Sequence, residues 1–228
     1  MLTTMPYKKR KQNIREQAYQ MLRADMQKGK IGYADRLVDS EIAASMEVSR
    51  MPVREALLQL KNEGLLESTQ RGFVLRQFTP ADIANIFEVR LLLEPVAAAA
   101  ACNNTSLEGL AQMRMAVSDA EQAHAEGDIV RYMQANWEFR SAWVNMVPNP
   151  HLAQTINRLR DHADLARLAA LGDKEFRDLS LDRARAILDA FLKGDPVEAK
   201  GQIEHNLRVC AMAYYAKQRQ LISEVALT

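Results

Sequence analysis

The 228-residue sequence predicts a mostly α-helical protein, with an N-terminal winged helix-turn-helix followed by an all-helical antiparallel bundle. Three observations predict this fold class. Two helical patterns separated by a very short turn precede a two-strand hairpin pattern in the first third of the chain. The rest carries apolar stripes at helical spacing, interrupted by residues that start helices. Hydrophobic residues make up 48% and aromatic residues only 6%, a composition typical of helices rich in Ala and Leu.

The winged helix-turn-helix is expected over residues 13–78. Apolar residues recur at three- and four-residue steps from residue 14 to 26, which predicts a first helix. Asp39 can cap a short second helix, and Ser49 can cap a third. Two short strands should follow around the turn at residues 69–72, and this hairpin is the expected wing.

Residues 79–228 are expected to form a helical domain for effector binding and dimerisation. Its apolar stripes suit an antiparallel bundle of about six helices. Residues that favour helix starts recur along it, several with proline at the first helical position. These signals are Thr79-Pro80, Thr105-Ser106, Gly127-Asp128, Asn149-Pro150, Gly172-Asp173 and Asp195-Pro196.

Charge is distributed unevenly although the net charge is only +1. Residues 1–78 contain 14 Lys and Arg against 9 Asp and Glu, whereas residues 79–228 contain 16 against 20. A basic half is suited to a polyanion such as DNA. Residues 1–12 form a predicted basic arm, and a solvated tail and a contact to DNA phosphate are both open for it.

Several classes of protein are not expected. Cys102 and Cys210 have no metal-type spacing and fit a reducing cytosol. The longest apolar run, residues 91–102, is interrupted by charge and is too short for a membrane span. Residues 1–12 do not resemble a signal peptide, and the sequence has no nucleophile elbow, P-loop or dinucleotide fingerprint. We therefore expect a cytoplasmic protein that is not an enzyme and has no membrane partner and no cofactor.

The start of the third predicted helix suits DNA recognition. Arg50 and Arg54 are four residues apart and share one helical face, and arginine can donate two hydrogen bonds to guanine. The alternative is a solvated or salt-bridged face, since Glu47 and Glu55 are nearby. Together with the wing, the arginine pair favours a helix that enters the major groove of double-stranded DNA.

Two stretches resemble a known family. Residues 48–57, Val-Ser-Arg-Met-Pro-Val-Arg-Glu-Ala-Leu, followed by the Glu63-Gly64-Leu65 triplet, are similar to the recognition-helix signature of the GntR family. Residues 90–95 and the triplet Gly194-Asp195-Pro196 resemble the FCD effector domain of its FadR-like branch. The resemblance implies a homodimeric transcription factor that binds an operator and responds to a small molecule.

The resemblance also implies operator contacts from the recognition helix and the wing tip. Met51 stands where relatives usually carry threonine, so a hydroxyl contact is absent. Ser40 occupies a place where relatives often have a polar DNA contact, although it can equally be an ordinary residue of a first helical turn. Gln70-Arg71-Gly72 departs from the common Gly-Arg-Gly wing but keeps the arginine. The predicted DNA-binding residues are Ser40, Ser49, Arg50, Met51, Arg54, Gln70, Arg71 and Gly72.

Many FCD domains hold a divalent metal through one Asp and three His, and that metal often binds a carboxylate ligand. The corresponding positions here are Asn136, Arg140, Ala184 and Asn206, none of which supplies an imidazole or an anionic oxygen. His205 reaches the last position only by a shift of one residue, which turns a helical side chain by roughly 100°. No metal is therefore expected.

Arg140 instead offers a guanidinium group to an anionic, carboxylate-bearing effector. Arg90 is expected to face the same cavity, with hydrogen bonds added by the two asparagines and an apolar wall by Trp137, Trp143 or Tyr132. The predicted effector-binding residues are Arg90, Asn136, Arg140 and Asn206.

The alternative for the two arginines is a salt bridge within the bundle, from Arg90 to Glu94 and from Arg140 to Glu138. In the corresponding alternative function, the helical domain has lost effector binding and serves only for dimerisation.

Overall fold

The computed structural model describes residues 14–27, 29–167 and 173–225. The chain divides into two compact units between Arg76 and Gln77. The predicted basic arm at residues 1–12 lies outside the described residues. Within the described ranges, no helix combines the length and the apolar character that crossing a membrane requires.

The first unit contains three helices and a two-stranded antiparallel hairpin among its described residues. The third helix packs against both others and against the hairpin. Its buried residues recur at helical spacing, which is why the sequence pattern identified it. The elements are α1 (Ile14–Gln27), α2 (Asp39–Ser45), α3 (Arg50–Asn62), β1 (Leu66–Thr69) and β2 (Gly72–Leu75).

The turn between α2 and α3 is closed by backbone hydrogen bonds that terminate α2. The amide of Val48 donates to the carbonyl of Ala43 at 3.0 Å, and the amide of Glu47 donates to the carbonyl of Ala44 at 3.2 Å. This pair of bonds is the Schellman arrangement, which requires a left-handed residue after the helix. Glu47 takes that conformation, with φ of 55°. A glutamate therefore occupies a position that glycine fills with less strain.

The start of α2 differs from the prediction. Val38 is the N-cap residue, and Asp39 is the first helical residue and caps nothing with its side chain. The prediction that Asp39 caps this helix is therefore wrong. Its carboxylate instead faces α3, where two arginines lie within ion-pairing distance, as described below.

The wing turn depends on Gly72. Its φ is +131°, and a Cβ atom built there would lie 2.5 Å from the carbonyl oxygen of Leu37. That close approach accompanies a β-bridge in which Leu37 and Phe73 exchange both backbone hydrogen bonds. Glycine at this position is thus explained by backbone packing.

The second unit is built from helices in its described residues, and the expectation of six is confirmed. Side-chain caps lie where the sequence placed them. Thr79 and Asp82 form a reciprocal capping box, and Ser106, Asp128 and Asp173 each accept a hydrogen bond from the first turn of the following helix. The helices are α4 (Pro80–Cys102), α5 (Leu107–Glu126), α6 (Ile129–Val144), α7 (Pro150–Arg167), α8 (Lys174–Lys193) and α9 (Pro196–Val225).

A single apolar core joins α4 to the other helices of this unit. α4 packs most extensively on α9, and α5 on α6. Four charged side chains among the described residues of this unit are nonetheless buried, Arg90 and Glu94 on α4, Arg140 on α6 and Arg177 on α8. Glu94 contacts both Arg90 and Arg140, and these three form a cluster. Buried charges are rare unless they are paired, so this cluster marks the part of the bundle with a chemical role to explain.

Candidate functional site

α3 presents its two arginines to solvent at its N-terminal end. Arg50 is the first helical residue, Ser49 is the N-cap residue, and no side chain caps the helix. The side chains of Arg50 and Arg54 are 61% and 54% exposed. A helix N-terminus carries partial positive charge and unpaired amides, so this end of α3 suits phosphate as well as base edges.

Both arginines share one acidic partner. Nε of Arg50 donates to Oδ1 of Asp39 at 2.8 Å, and Nη1 of Arg54 lies 3.7 Å from Oδ2 of the same carboxylate. The alternative of a salt-bridged face named Glu47 and Glu55 as the nearby acids, but the acid that pairs with both arginines is Asp39. Asp39 is only 6% exposed, whereas both of its arginine partners are more than half exposed.

The other predicted DNA-binding residues lie on the surface of the same unit. Met51 is 65% exposed beside Arg50. Gln70 and Arg71 form the tip of the wing, where the amide of Arg71 donates to the hydroxyl of Thr69. Ser40 is exposed in the first turn of α2. These exposed positions agree with a nucleic-acid surface.

The second unit contains a small cavity of about 20 Å³, partly open to solvent, between α6, α8 and α9. All four positions that correspond to the family's metal ligands line it. Asn136 also donates to the hydroxyl of Ser180 at 3.2 Å. The lining residues are Asn136, Phe139, Arg140, Trp143, Ser180, Ala184, Ile187, Ile203 and Asn206.

The donor set of this cavity does not fit a transition metal. Among the residues that the structure describes, the lining contains no carboxylate, imidazole or thiol group, the side chains that hold such ions in proteins. Elsewhere in the described residues, no three His, Cys, Asp or Glu side chains are grouped closely enough to hold an ion. His205 is exposed on α9 and does not line the cavity.

The guanidinium group of Arg140 lines the cavity and is positively charged, and the buried carboxylate of Glu94 forms an ion pair with it. Nη2 of Arg140 forms an ion pair with Oε1 of Glu94, and Nε of Arg90 donates to the same oxygen at 2.6 Å. Burial alone would raise the pKa of Glu94, but attraction to Arg140 and Arg90 outweighs burial and lowers that pKa. The carboxylate is therefore ionised, and the three side chains together carry one net positive charge.

The structure separates the two predicted cationic residues. Arg90 does not line the cavity, so the prediction that it faces the effector differs from the structure. Its guanidinium group lies over the ring of Phe87 and bonds Glu94, as the salt-bridge alternative had it. Arg140 both lines the cavity and pairs with Glu94, whereas its expected partner Glu138 accepts a hydrogen bond from Gln134.

The apolar wall also differs in part. Of the three aromatic residues considered, Trp143 lines the cavity and lies 6.0 Å from the Arg140 guanidinium. Trp137 lines a separate groove between α5 and α6. The hydroxyl of Tyr132 donates to the backbone carbonyl of Arg177 in the core.

Sequence reasoning missed the roles of Asp39, Glu94 and Ser180. The sequence shows Asp39 as an acidic residue that precedes Arg50 and Arg54. It also shows Glu94 four residues after Arg90, the spacing of a salt bridge within one helix. No local signal distinguishes Ser180 from other serines within a helix. Each role depends on a contact between separate helices, which residue spacing along one helix does not contain.

Comparisons with known proteins agree with both units. The description "Bacterial regulatory proteins, gntR family" matches residues 14–74, and the FCD domain matches residues 85–208. The chain is 25% identical to the HTH-type transcriptional regulator YdhC of Bacillus subtilis, covering 82% of this chain and 84% of that one. It is 28% identical to a probable D-xylose utilization operon repressor of Paenarthrobacter nicotinovorans, covering 80% of each chain.

A solved structure shows the same fold. McbR/YncC of E. coli aligns with a TM-score of 0.78 and 21% sequence identity, covering 90% of this chain and 99% of that one. An FCD domain match over more than half of the chain, joined to a gntR-family match over its N-terminal unit, settles the assignment. This chain belongs to the GntR family of DNA-binding transcriptional regulators and carries an FCD domain.

Proposed function

We propose that this regulator binds a pseudo-palindromic operator as a homodimer and that an anionic metabolite in the cavity of the FCD domain controls that binding. Arg50 and Arg54 read base edges in the major groove, and Arg71 at the wing tip contacts phosphate or the minor groove. Two-fold symmetry follows from the usual pairing of helix-turn-helix dimers with repeated half-sites.

One observation carries the effector part of this proposal. Asn136, Arg140, Ala184 and Asn206 line one cavity, although they come from three different helices. By the family resemblance these four positions correspond to its metal ligands, so the proposal puts the effector where relatives hold a metal. At about 20 Å³ the cavity has room for little more than a water molecule, so the proposal requires the lining side chains to move apart when a metabolite binds.

Charge indicates the chemical class of the effector. Glu94 contacts two buried arginines, Arg90 and Arg140, so these three side chains together carry one positive charge in a region of low dielectric constant. A carboxylate bound to Arg140 would balance that charge, and it would gain charge-assisted hydrogen bonds with planar geometry. The amide groups of Asn136 and Asn206 can bond the polar remainder of such a ligand. A neutral sugar offers no anionic group to the guanidinium group of Arg140, so the pentose named for one relative is not carried over to this chain.

A ligand screen tests this part. Millimolar carboxylates are added one at a time, each beside its primary amide as an uncharged analogue of the same shape. Unfolding of the helical unit is followed by tryptophan fluorescence, since Trp137 and Trp143 both belong to it. We expect some acids, and not their amides, to raise the melting temperature, because a ligand that binds the folded state stabilises it. Equal effects of acids and amides, or no effect of any acid, would favour the alternative in which the FCD domain only dimerises.

A further inference from the structure

Asp39 connects the two helices of the helix-turn-helix at the point where DNA would be read. Its carboxylate is nearly buried at the first position of α2, and each oxygen faces a different arginine of α3. An anion at a helix N-terminus is favoured by the helix dipole, so the carboxylate is held in place by α2 as well as by its partners.

The geometry leaves the two terminal nitrogens of Arg50 available to bind a base. Asp39 takes the Nε–H group, and the two terminal nitrogens of Arg50 make no hydrogen bond or ion pair with any residue that the structure describes. Those two nitrogens can donate the paired hydrogen bonds that guanine O6 and N7 accept. Arg54 is held less tightly, at 3.7 Å, through one terminal nitrogen.

Fixing an arginine in advance changes specific and non-specific binding in opposite directions. A free arginine side chain loses roughly 2 kcal/mol of rotamer entropy when it is ordered, and a side chain already held by Asp39 loses less on binding a base. Non-specific binding depends on phosphate charge instead, and there a negative charge beside the arginines is unfavourable.

We propose that Asp39 is a positioning residue for base recognition, which raises discrimination between operator and random DNA while it lowers affinity for random DNA. This inference rests on the proposed role of Arg50 and Arg54 as base-reading residues. Asp39 would then contribute to DNA recognition as well as joining α2 to α3.

The test compares Asp39→Ala with Glu41→Ala in the full-length protein. Glu41 lies in the same first turn of α2, is exposed, and makes no ion pair within the described part of the chain. Both variants lose one negative charge and both gain alanine, so they share the general electrostatic effect. Wild-type protein first selects its sites from a random-sequence duplex library, and affinities are then measured for the selected duplex and for a scrambled one.

We expect Asp39→Ala to lower the ratio of specific to non-specific affinity roughly tenfold and to broaden the bases selected at the guanine positions. Asp39→Asn, which keeps one neutral acceptor for Arg50, should lie in between. Glu41→Ala should bind both duplexes more tightly and keep the ratio. Partial misfolding does not mimic the expected result, because an inactive fraction lowers both affinities equally and leaves their ratio unchanged.

An unchanged ratio in Asp39→Ala, or tighter operator binding than in Glu41→Ala, would overturn the proposal. Arg50→Ala is measured in the same selection. If that variant selects the same sequence as the wild type, the base-reading assignment itself fails. If Arg50→Ala broadens the selected sequence and Asp39→Ala does not, only the positioning role of Asp39 fails.

Discussion

The carboxylate of Glu94 on α4 forms an ion pair with the guanidinium group of Arg140 on α6, and Arg90 bonds the same oxygen. Glu94 is fully buried and both arginines are nearly so. Removing the acid would leave two buried positive charges, whereas removing Arg140 would leave a neutral pair. The two substitutions should therefore differ in their cost to stability and in their effect on the ligand.

Glu94→Gln is expected to lower the free energy of unfolding of the helical unit by about 3–5 kcal/mol at neutral pH, because it leaves buried charges without their counter-ion. Arg140→Ala should cost less, since Arg90 and Glu94 still neutralise each other. Urea denaturation followed by tryptophan fluorescence measures both. A smaller loss for Glu94→Gln than for Arg140→Ala would contradict the charge balance described here.

The same comparison has a defined pH dependence. The pKa of Glu94 lies below its ordinary value of 4.5 in the folded protein, so the acid contributes stability that is complete above that value. The contribution is lost as the pH falls through the lowered pKa. The stability difference between wild type and Glu94→Gln should therefore stay constant from neutral pH down to about 4.5 and shrink below it. A difference that shrinks on raising the pH would contradict the assignment.

Arg140→Ala is expected to weaken binding of the carboxylate found in the ligand screen by tenfold or more, because the charge-assisted hydrogen bonds are lost. DNA binding without ligand should be unchanged. Arg140→Lys should recover only part of the affinity, since it keeps the charge and loses the planar fork. Isothermal titration calorimetry on the folded variants measures these affinities. Arg185→Ala, which removes a surface arginine of α8 paired with Glu121, is the control. Unchanged carboxylate affinity in Arg140→Ala would mean that Arg140 only forms a structural ion pair with Glu94 and does not contact the ligand.

The sequence was most informative where the signal is local. Helix starts at Thr79 and Ser106 depend on bonds within one turn, so the residue types alone predicted them. The cavity was predictable for a related reason. Asn136 and Arg140 are four residues apart on one helix, and a bundle brings residues from other helices to the same face.

Interactions between helices were not predictable in the same way. Asp39 has the residue type of a cap, and the local rule assigned it that role. Its partners lie on the next helix, and only the packing of α2 on α3 places them within reach. Glu94 likewise has a local partner in Arg90, and its second partner comes from α6. Spacing along one helix carries no information about such a second partner.

Arg50→Ala and Arg54→Ala are each expected to lose about 1–3 kcal/mol of specific operator binding while the fold is retained. Both side chains are more than half exposed, so truncation removes little packing. Fluorescence anisotropy with the selected duplex measures the loss, and circular dichroism checks the fold. Lys61→Ala, which removes a cation from the last turn of α3, is the control. Operator affinity equal to wild type in both arginine variants would rule out α3 as the recognition helix.

The final prediction concerns Glu47, the left-handed residue that ends α2. Glu47→Gly should stabilise the winged helix-turn-helix by about 0.5–1 kcal/mol. Relief of the Cβ clash is worth roughly 1–2 kcal/mol, and the greater freedom of glycine in the unfolded chain offsets part of it. Hydrogen exchange of the amides in α2 and α3 measures the gain, because slower exchange reports a larger opening free energy for that part of the chain.

Glu47→Ala separates backbone strain from charge. Alanine removes the same negative charge but keeps a Cβ atom at φ of 55°, so the strain is retained. If strain is the cause, only the glycine variant should show slower exchange. Equal protection in both variants would attribute the effect to the loss of a negative charge at the C-terminal end of α2, where the helix dipole disfavours it. Faster exchange in the glycine variant would mean that the two backbone hydrogen bonds from Glu47 and Val48 already offset the strain, so that added freedom in the unfolded chain dominates.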